Sequence, residues 1–124
     1  MNAQTSLTEL LRLSTQVVEA VVSGPAGAVE AATVGEERAQ ELATAGTELL
    51  AAAADVRPGV EVERVAVELS SGSVVVVRSG ERSLAATTVP EPTLGLVTYD
   101  LRTALTRIEA APASRSRSRK RADA

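Results

Sequence analysis

Chemistry in this chain would have to come from carboxylates, hydroxyls and arginines. Its 124 residues include no His and no Cys, and its one Lys is Lys120. Without imidazole or thiol there is no Ser-His-Asp or Cys-His nucleophile system, and no imidazole or thiolate metal site. Acid/base work would fall to paired carboxylates, and two pairs lie close in sequence, Glu36-Glu37 and Glu61 with Glu63. The first pair sits where a helix begins, and acids there complement the positive end of the macrodipole. The second shares one face of a predicted strand, where charge guards a sheet edge. Phosphate chemistry would need a glycine loop, and Gly24-Pro25-Ala26-Gly27 and Ser71-Gly72 are the candidates. Neither has Walker spacing or the GxGxxG pattern, so both predict hairpin turns. The residue inventory predicts a protein that is not an enzyme and uses no metal or cofactor.

Charge is more informative than its total of −3. Residues 112–124 hold 5 of the 13 basic residues (Arg115, Arg117, Arg119, Lys120 and Arg121) against 1 of the 16 acidic ones, a net of +4. The remaining 8 basic and 15 acidic residues give residues 1–111 a net of −7. The basic segment alternates Arg with Ser and has no aromatic, a composition that predicts a disordered tail. Three uses fit it: solubilising the chain, anchoring it electrostatically to a partner or anionic membrane, and contacting nucleic-acid phosphates. Tyr99 is the sole aromatic, so base-stacking platforms are lacking.

These groups must be positioned by elements whose periods are readable. Ser6 and Glu9 have capping-box spacing, and Leu7, Leu10 and Leu11 follow on one face, predicting a helix over 6–14. Residues 16–23 fit both a helix and a β-branched strand. The turn residues 23–27 and the apolar run after them favour a hairpin of 16–23 with 28–34. Thr33 and Glu36 repeat the capping spacing ahead of a helix over 36–54. Its stripe of Ala39, Leu42, Ala43, Gly46, Leu49, Leu50 and Ala53 follows the 3.6-residue period. So many small residues suit close approach of a like helix, and equally suit an ordinary core face.

Pro58-Gly59 ends that segment. Three strand signals follow, VERVAVELS with Val65, Val67 and Leu69 on one face, then the run Val74–Val77, then 83–89. Two tight turns join them into a meander. Pro90 and Pro92 stop the last strand, Thr93 caps a helix with the stripe Leu94, Val97, Leu101, Ala104, Leu105 and Ile108, and Pro112 is expected to close it. The order α-β-β-α-β-β-β-α predicts an α+β two-layer sandwich with a five-stranded antiparallel sheet. The predicted organisation is one domain over 1–111 and a basic tail over 112–124. No apolar run reaches membrane-spanning length and no secretory signal pattern opens the chain, so a cytoplasmic location is expected.

One segment, RSLAATTVPEPTLGLVTYDLRTALTRI (residues 82–108), resembles the roadblock / dynein light chain family. The likeness is carried by Leu84-Ala85-Ala86, Thr93-Leu94-Gly95-Leu96 and Asp100-Leu101-Arg102-Thr103-Ala104-Leu105. The 36–54 helix and the Val74–Val77 strand are placed as in that family, and the resemblance covers about residues 16–111. Two departures fall in the first third, a shorter first helix and a Gly24-Pro25-Ala26-Gly27 turn instead of Asp-Gly or Asn-Gly. The resemblance implies a roadblock/profilin-like fold and a symmetric dimer that pairs central helices and joins edge strands. It also implies a platform for small Ras-like GTPases or signalling complexes. In that mode the dimer positions the GTPase's own catalytic groups and supplies no arginine finger.

Two functions from different classes follow. The first is a bacterial, non-enzymatic scaffold or GTPase regulator. It would associate as a homodimer through Ala39, Leu42, Ala43, Gly46, Leu49 and Leu50 of the 36–54 helix and Val65 and Val67 of the 62–69 strand. The second is an electrostatic adaptor that binds nucleic acid or anionic membrane through the tail.

Overall fold

A computed structural model describes the backbone of residues 2–123 and the side chains up to Ile108, Ala26 excepted. The chain runs through α1 (Ala3–Leu13), β1 (Val17–Ser23), a 3-10 turn (Pro25–Gly27), β2 (Val29–Ala32) and α2 (Glu36–Val56). It continues with β3 (Arg64–Leu69), β4 (Gly72–Ser79), β5 (Arg82–Thr88) and α3 (Leu94–Asp123). The five strands form one antiparallel sheet in the order β2-β1-β5-β4-β3. Consecutive strands 3 to 5 pair as the expected meander, and β1 reaches back to β5, which puts it beside the third meander strand. The 16–23 segment is a strand, and its hairpin with β2 forms as the turn residues predict.

Period-2 alternation sorts side chains onto the two sheet faces. Ala20 and Val22 of β1, Val75 and Val77 of β4, and Leu84 and Ala86 of β5 point to one face, where they pack with Leu7 and Leu10 of α1 and Val97, Leu101, Leu105 and Ile108 of α3. Val21, Val76 and Ala85 point the other way and pack under Ala39, Leu42, Ala43 and Leu50 of α2. The fold is α+β with five antiparallel strands and three helices. Because the helices divide between the faces, the sheet is the middle of three layers, one more than the element order predicts. Each fully buried Leu on the α1/α3 side contributes about 1.5–3 kcal/mol, which makes that side the main core.

Two helix starts differ from expectation for one physical reason. The first helix begins at Ala3, because Asn2 caps it by accepting from the Thr5 N–H at 2.8 Å. Ser6, expected as the cap, is buried, and its hydroxyl donates to the Ala104 carbonyl at 2.8 Å. Thr33, expected as the next cap, bonds across the sheet instead: its hydroxyl accepts from the Ala20 N–H at 2.9 Å. Gly35 occupies the cap position of α2 without a side-chain bond. In both cases a hydroxyl beside an apolar run serves a tertiary contact, and a neighbouring residue begins the helix.

The backbone of α3 continues to Asp123, past Pro112, where the sequence predicts an end. The side chains of the basic segment, Arg115 to Arg121, lie outside the described residues.

Gly72 shows how tightly the β3–β4 turn is built. Its φ of +141° is one that L side chains rarely adopt, and a Cβ there would stand 2.1 Å from the Thr88 carbonyl oxygen. Beside it the Thr88 hydroxyl accepts from the Ser73 N–H at 3.0 Å, joining the start of β4 to the end of β5.

Candidate functional site

The carboxylate pairs and glycine loops resolve first. Glu36 and Glu37 are exposed in the first turn of α2. Glu61 and Glu63 precede β3 and do not lie on it, which corrects their predicted strand position. Each faces its own cation, Glu61 accepting from Arg78 at 2.9 Å and Glu63 lying 3.6 Å from Arg102. Carboxylates held by separate arginines from separate elements do not form an acid/base dyad. The 24–27 segment is the hairpin turn with its 3-10 step, and Ser71-Gly72 turns β3 into β4. Among the described residues no group of three or more His, Cys, Asp or Glu residues could hold a metal ion, and no helix is long and apolar enough to cross a membrane.

The small-residue stripe of α2 meets the chain's own sheet. Ala39, Leu42, Ala43 and Leu50 are buried under it at 3–9% exposure. Gly46 marks the closest approach: a Cβ there would come 3.0 Å from the Ala85 Cβ. These five residues, expected at an interface, lie in the seat of α2 on β1, β4 and β5. Leu49, Val65 and Val67 are the exceptions. They remain half-buried where α2 overhangs the outer strands, with Leu49 and Val65 on the rim of the α2 core.

A second stripe runs along that flank. Ala45, Leu49, Ala52 and Val56 recur at spacings of 4, 3 and 4, the seam period of helices that pack on one another. Val56 is 75% exposed, and Leu69 at the end of β3 is 55% exposed. The helix flank and the α2-facing residues of β3 (Val65, Val67 and Leu69) thus make a continuous apolar border. Residue-type reasoning missed Ala45, Ala52, Val56 and Leu69 as one surface. The signal was present as a second helical period beside the stronger one, but only packing shows which stripe the sheet covers.

The two sheet edges are finished differently. At β2 the outward N–H and C=O of Ala32 are both taken by the side-chain amide of Gln4, whose Nε2 donates to Ala32 O at 3.0 Å and whose Oε1 accepts from Ala32 N at 3.4 Å. A register shift between Val22 and Ser23 and the Arg82–Glu30 pair at 2.7 Å further irregularise that edge. At β3 the ladder to β4 is regular from Arg64 to Leu69. Glu63 O accepts from Arg78 N at 3.0 Å, so odd-numbered residues face β4, and the backbone groups of Arg64, Ala66 and Glu68 face away from the sheet. No described strand lies beyond β3.

An ion pair adds to the packing that seats α2 beside this border. Arg38 grips Glu19 of β1 with two bonds of 2.9 Å, and the Thr87 hydroxyl of β5 donates to the same carboxylate at 2.8 Å. The fork from Arg38, strengthened by charge on both sides, holds the Glu19 carboxyl below the usual carboxylate range and raises Arg38 above its ordinary value. A groove lined by Val18, Leu69 and Val74, with Glu19 and Arg38 on its wall, opens between this pair and the end of β3.

This architecture is that of known proteins. A roadblock/LC7 domain from Streptomyces avermitilis superposes with a TM-score of 0.80 at 18% identity, covering 91% of this chain and 99% of that one. Myxococcus xanthus MglB follows with a TM-score of 0.70 at 18% identity, over 88% and 95% of the two chains. Acanthamoeba castellanii profilin IB matches with a TM-score of 0.65 at 17% identity, over 89% and 99%. No protein-family model and no curated protein matches the sequence. The chain has the roadblock/LC7 fold, within the wider architecture that profilin shares.

Proposed function

We propose that this chain is a non-enzymatic, homodimeric roadblock-type scaffold that presents a joined sheet and paired α2 helices to a small Ras-like GTPase or signalling-complex subunit. The asymmetry of the sheet supports this most. One edge is closed by Gln4, while the other carries outward backbone groups beside an apolar helix flank. Satisfying that edge with a second β3 pairs its free N–H and C=O groups. It also brings Ala45, Leu49, Ala52 and Val56 of one α2 against the same stripe of the other. The interface is self-complementary, as a two-fold dimer requires.

The GTPase partner rests on the family resemblance of residues 82–108 together with the shared fold. In that reading the dimer orients the GTPase's switch segments and contributes shape, with no catalytic side chain of its own. The +4 segment 112–124 adds a salt-sensitive contact to an anionic partner.

Light scattering gives the first test, with a dimer expected at tens of micromolar chain and a monomer refuting the assembly. Affinity capture from the native cell, with the lysate loaded with GDP or with a non-hydrolysable GTP analogue, tests the partner. Recovery of a GTPase that depends on the nucleotide supports regulation. Equal recovery in both states reduces the role to scaffolding. Deletion of residues 113–124 is expected to leave the dimer intact and to flatten the salt dependence of capture.

A further inference from the structure

The open edge of β3 carries its charges in an order that is complementary to itself across a two-fold axis. Arg64, Ala66 and Glu68 share one face of the strand, and all three are exposed. Neither Arg64 nor Glu68 makes an ion pair or side-chain hydrogen bond among the described residues. The arginines and acids that flank the strand are engaged, by contrast: Glu61 with Arg78 and Glu63 with Arg102.

Backbone parity limits how two such edges can meet. The outward N–H and C=O groups belong to the even-numbered residues, so an antiparallel pair must set even residues opposite even residues. The symmetry axis then falls at one residue of the strand. Centred on residue 64 or 68, it places Arg64 against the partner's Arg64 or Glu68 against the partner's Glu68, and like charges directly opposite are destabilising. Centred on 65 or 67, it leaves neither charge facing an opposite charge on the second strand. Centred on Ala66, it sets Arg64 against the partner's Glu68 and Glu68 against the partner's Arg64. The same register puts Val65 opposite the partner's Val67 on the α2 side, so apolar residues meet apolar residues beside the helix flank.

We propose that Arg64 and Glu68 are the residues that fix the register and the partner choice of this edge, with the two-fold axis at Ala66 and two reciprocal Arg64–Glu68 pairs across it. Charged side chains on an edge strand ordinarily prevent pairing with other chains. Here opposite signs placed symmetrically about Ala66 reject shifted registers and accept a second copy of this chain. This inference rests on the homodimer reading above and goes beyond it, because many registers and partners are compatible with a β3 edge.

The test uses the full chain carrying R64E, E68R or A66C, with circular dichroism matched to the parent. Each charge reversal alone creates two like-charge oppositions and is expected to weaken the dimer about tenfold at low salt, less at high salt. Mixing R64E with E68R restores two attractive pairs only in the mixed species. Native mass spectrometry of that mixture should therefore show one copy of each in excess of the statistical half. The parent has no Cys, so A66C carries a single thiol. Directly opposed residues lie about 5.5 Å apart at a hydrogen-bonded position, within disulfide range, and mild oxidation should link A66C chains into covalent dimers. A parent dimer whose A66C variant stays unlinked and whose charge variants mix statistically overturns the register and leaves the homodimer standing. A monomeric parent overturns both.

Discussion

The two edges of the sheet have similar backbone chemistry and opposite fates. Edge β2 spans only Val29–Ala32, is interrupted by a register shift and has its outward backbone groups at Ala32 taken by Gln4. Edge β3 spans Arg64–Leu69 in regular register and has no described strand beyond it. An exposed edge is a template for pairing unless something blocks it. In β2 a side-chain amide from α1 imitates the missing strand for one residue. In β3 only the charges at Arg64 and Glu68 regulate what may add. What the contrast teaches is that one open edge limits strand pairing to two copies, whereas two open edges would propagate.

The largest expected effect comes from removing the hydrogen-bond donor at the centre of the open edge. Ala66→Pro deletes an N–H that faces outward, so the β3–β4 ladder survives, while self-association should fall more than about 100-fold, judged against the several edge bonds and apolar contacts that depend on it. Sedimentation velocity reads this directly, and the same substitution at Ala32 should leave the assembly unchanged. A dimer that survives Ala66→Pro and dissociates with Ala32→Pro would reverse the assignment of the edges.

Next in size is the helix flank. Leu49→Asp places a charge in the middle of the stripe that adjoins β3, and about a tenfold or greater loss of dimer affinity is expected from desolvating it. Gln4→Ala is expected to cost about 1 kcal/mol of stability, the worth of an exchanged backbone hydrogen bond, seen as a lower midpoint in urea. Its more telling consequence is an unblocked β2, so species larger than the dimer should appear in light scattering as concentration rises. Unchanged assembly in that variant would show that β2 is too short and irregular to pair even when uncovered.

The smallest effect tests what holds α2 over the border. Glu19 titrates below the ordinary carboxylate value of 4.5 because of Arg38. A carboxyl depressed in the folded state adds stability above its unfolded pKa, and that increment is lost as pH falls through the folded value. With Arg38 half-exposed, the increment is about 0.5 kcal/mol after solvent screening. Glu19→Gln should therefore lower stability slightly at pH 7 and flatten its decline in the acid range below pH 4.5, measured by urea midpoints at a series of pH values. Equal slopes for parent and variant would remove the pair from the account.

Much of the fold was legible in the residues. The run Val74–Val77 reads as a buried strand, and three of its four valines have no exposure at all. The stripe from Val97 to Ile108 is fully internal, as its period predicts. Turn chemistry placed the hairpins, because Gly72 and Gly80 adopt positive φ where glycine alone is comfortable. The caps were less legible. Ser6 and Thr33 have the right spacing, but their hydroxyls find tertiary partners in Ala104 and Ala20. For the residues expected at an interface, the sequence could not say which are covered: Leu49, Val65 and Val67 border the open edge half-buried, whereas Ala39, Leu42, Ala43, Gly46 and Leu50 are buried between α2 and the sheet.

By itself the sequence determined the element order, the antiparallel meander, the absence of His and Cys chemistry, and the split between an acidic body and a basic segment. These follow from residue type and short-range period, which need no knowledge of neighbours. Tertiary structure alone decided which helical stripe faces the sheet, that helices cover both of its faces, and which edge is open. Each of these depends on contacts between residues far apart in the chain. Gln4 lies 28 residues from Ala32 and Glu19 lies 68 from Thr87, distances over which no local pattern carries information.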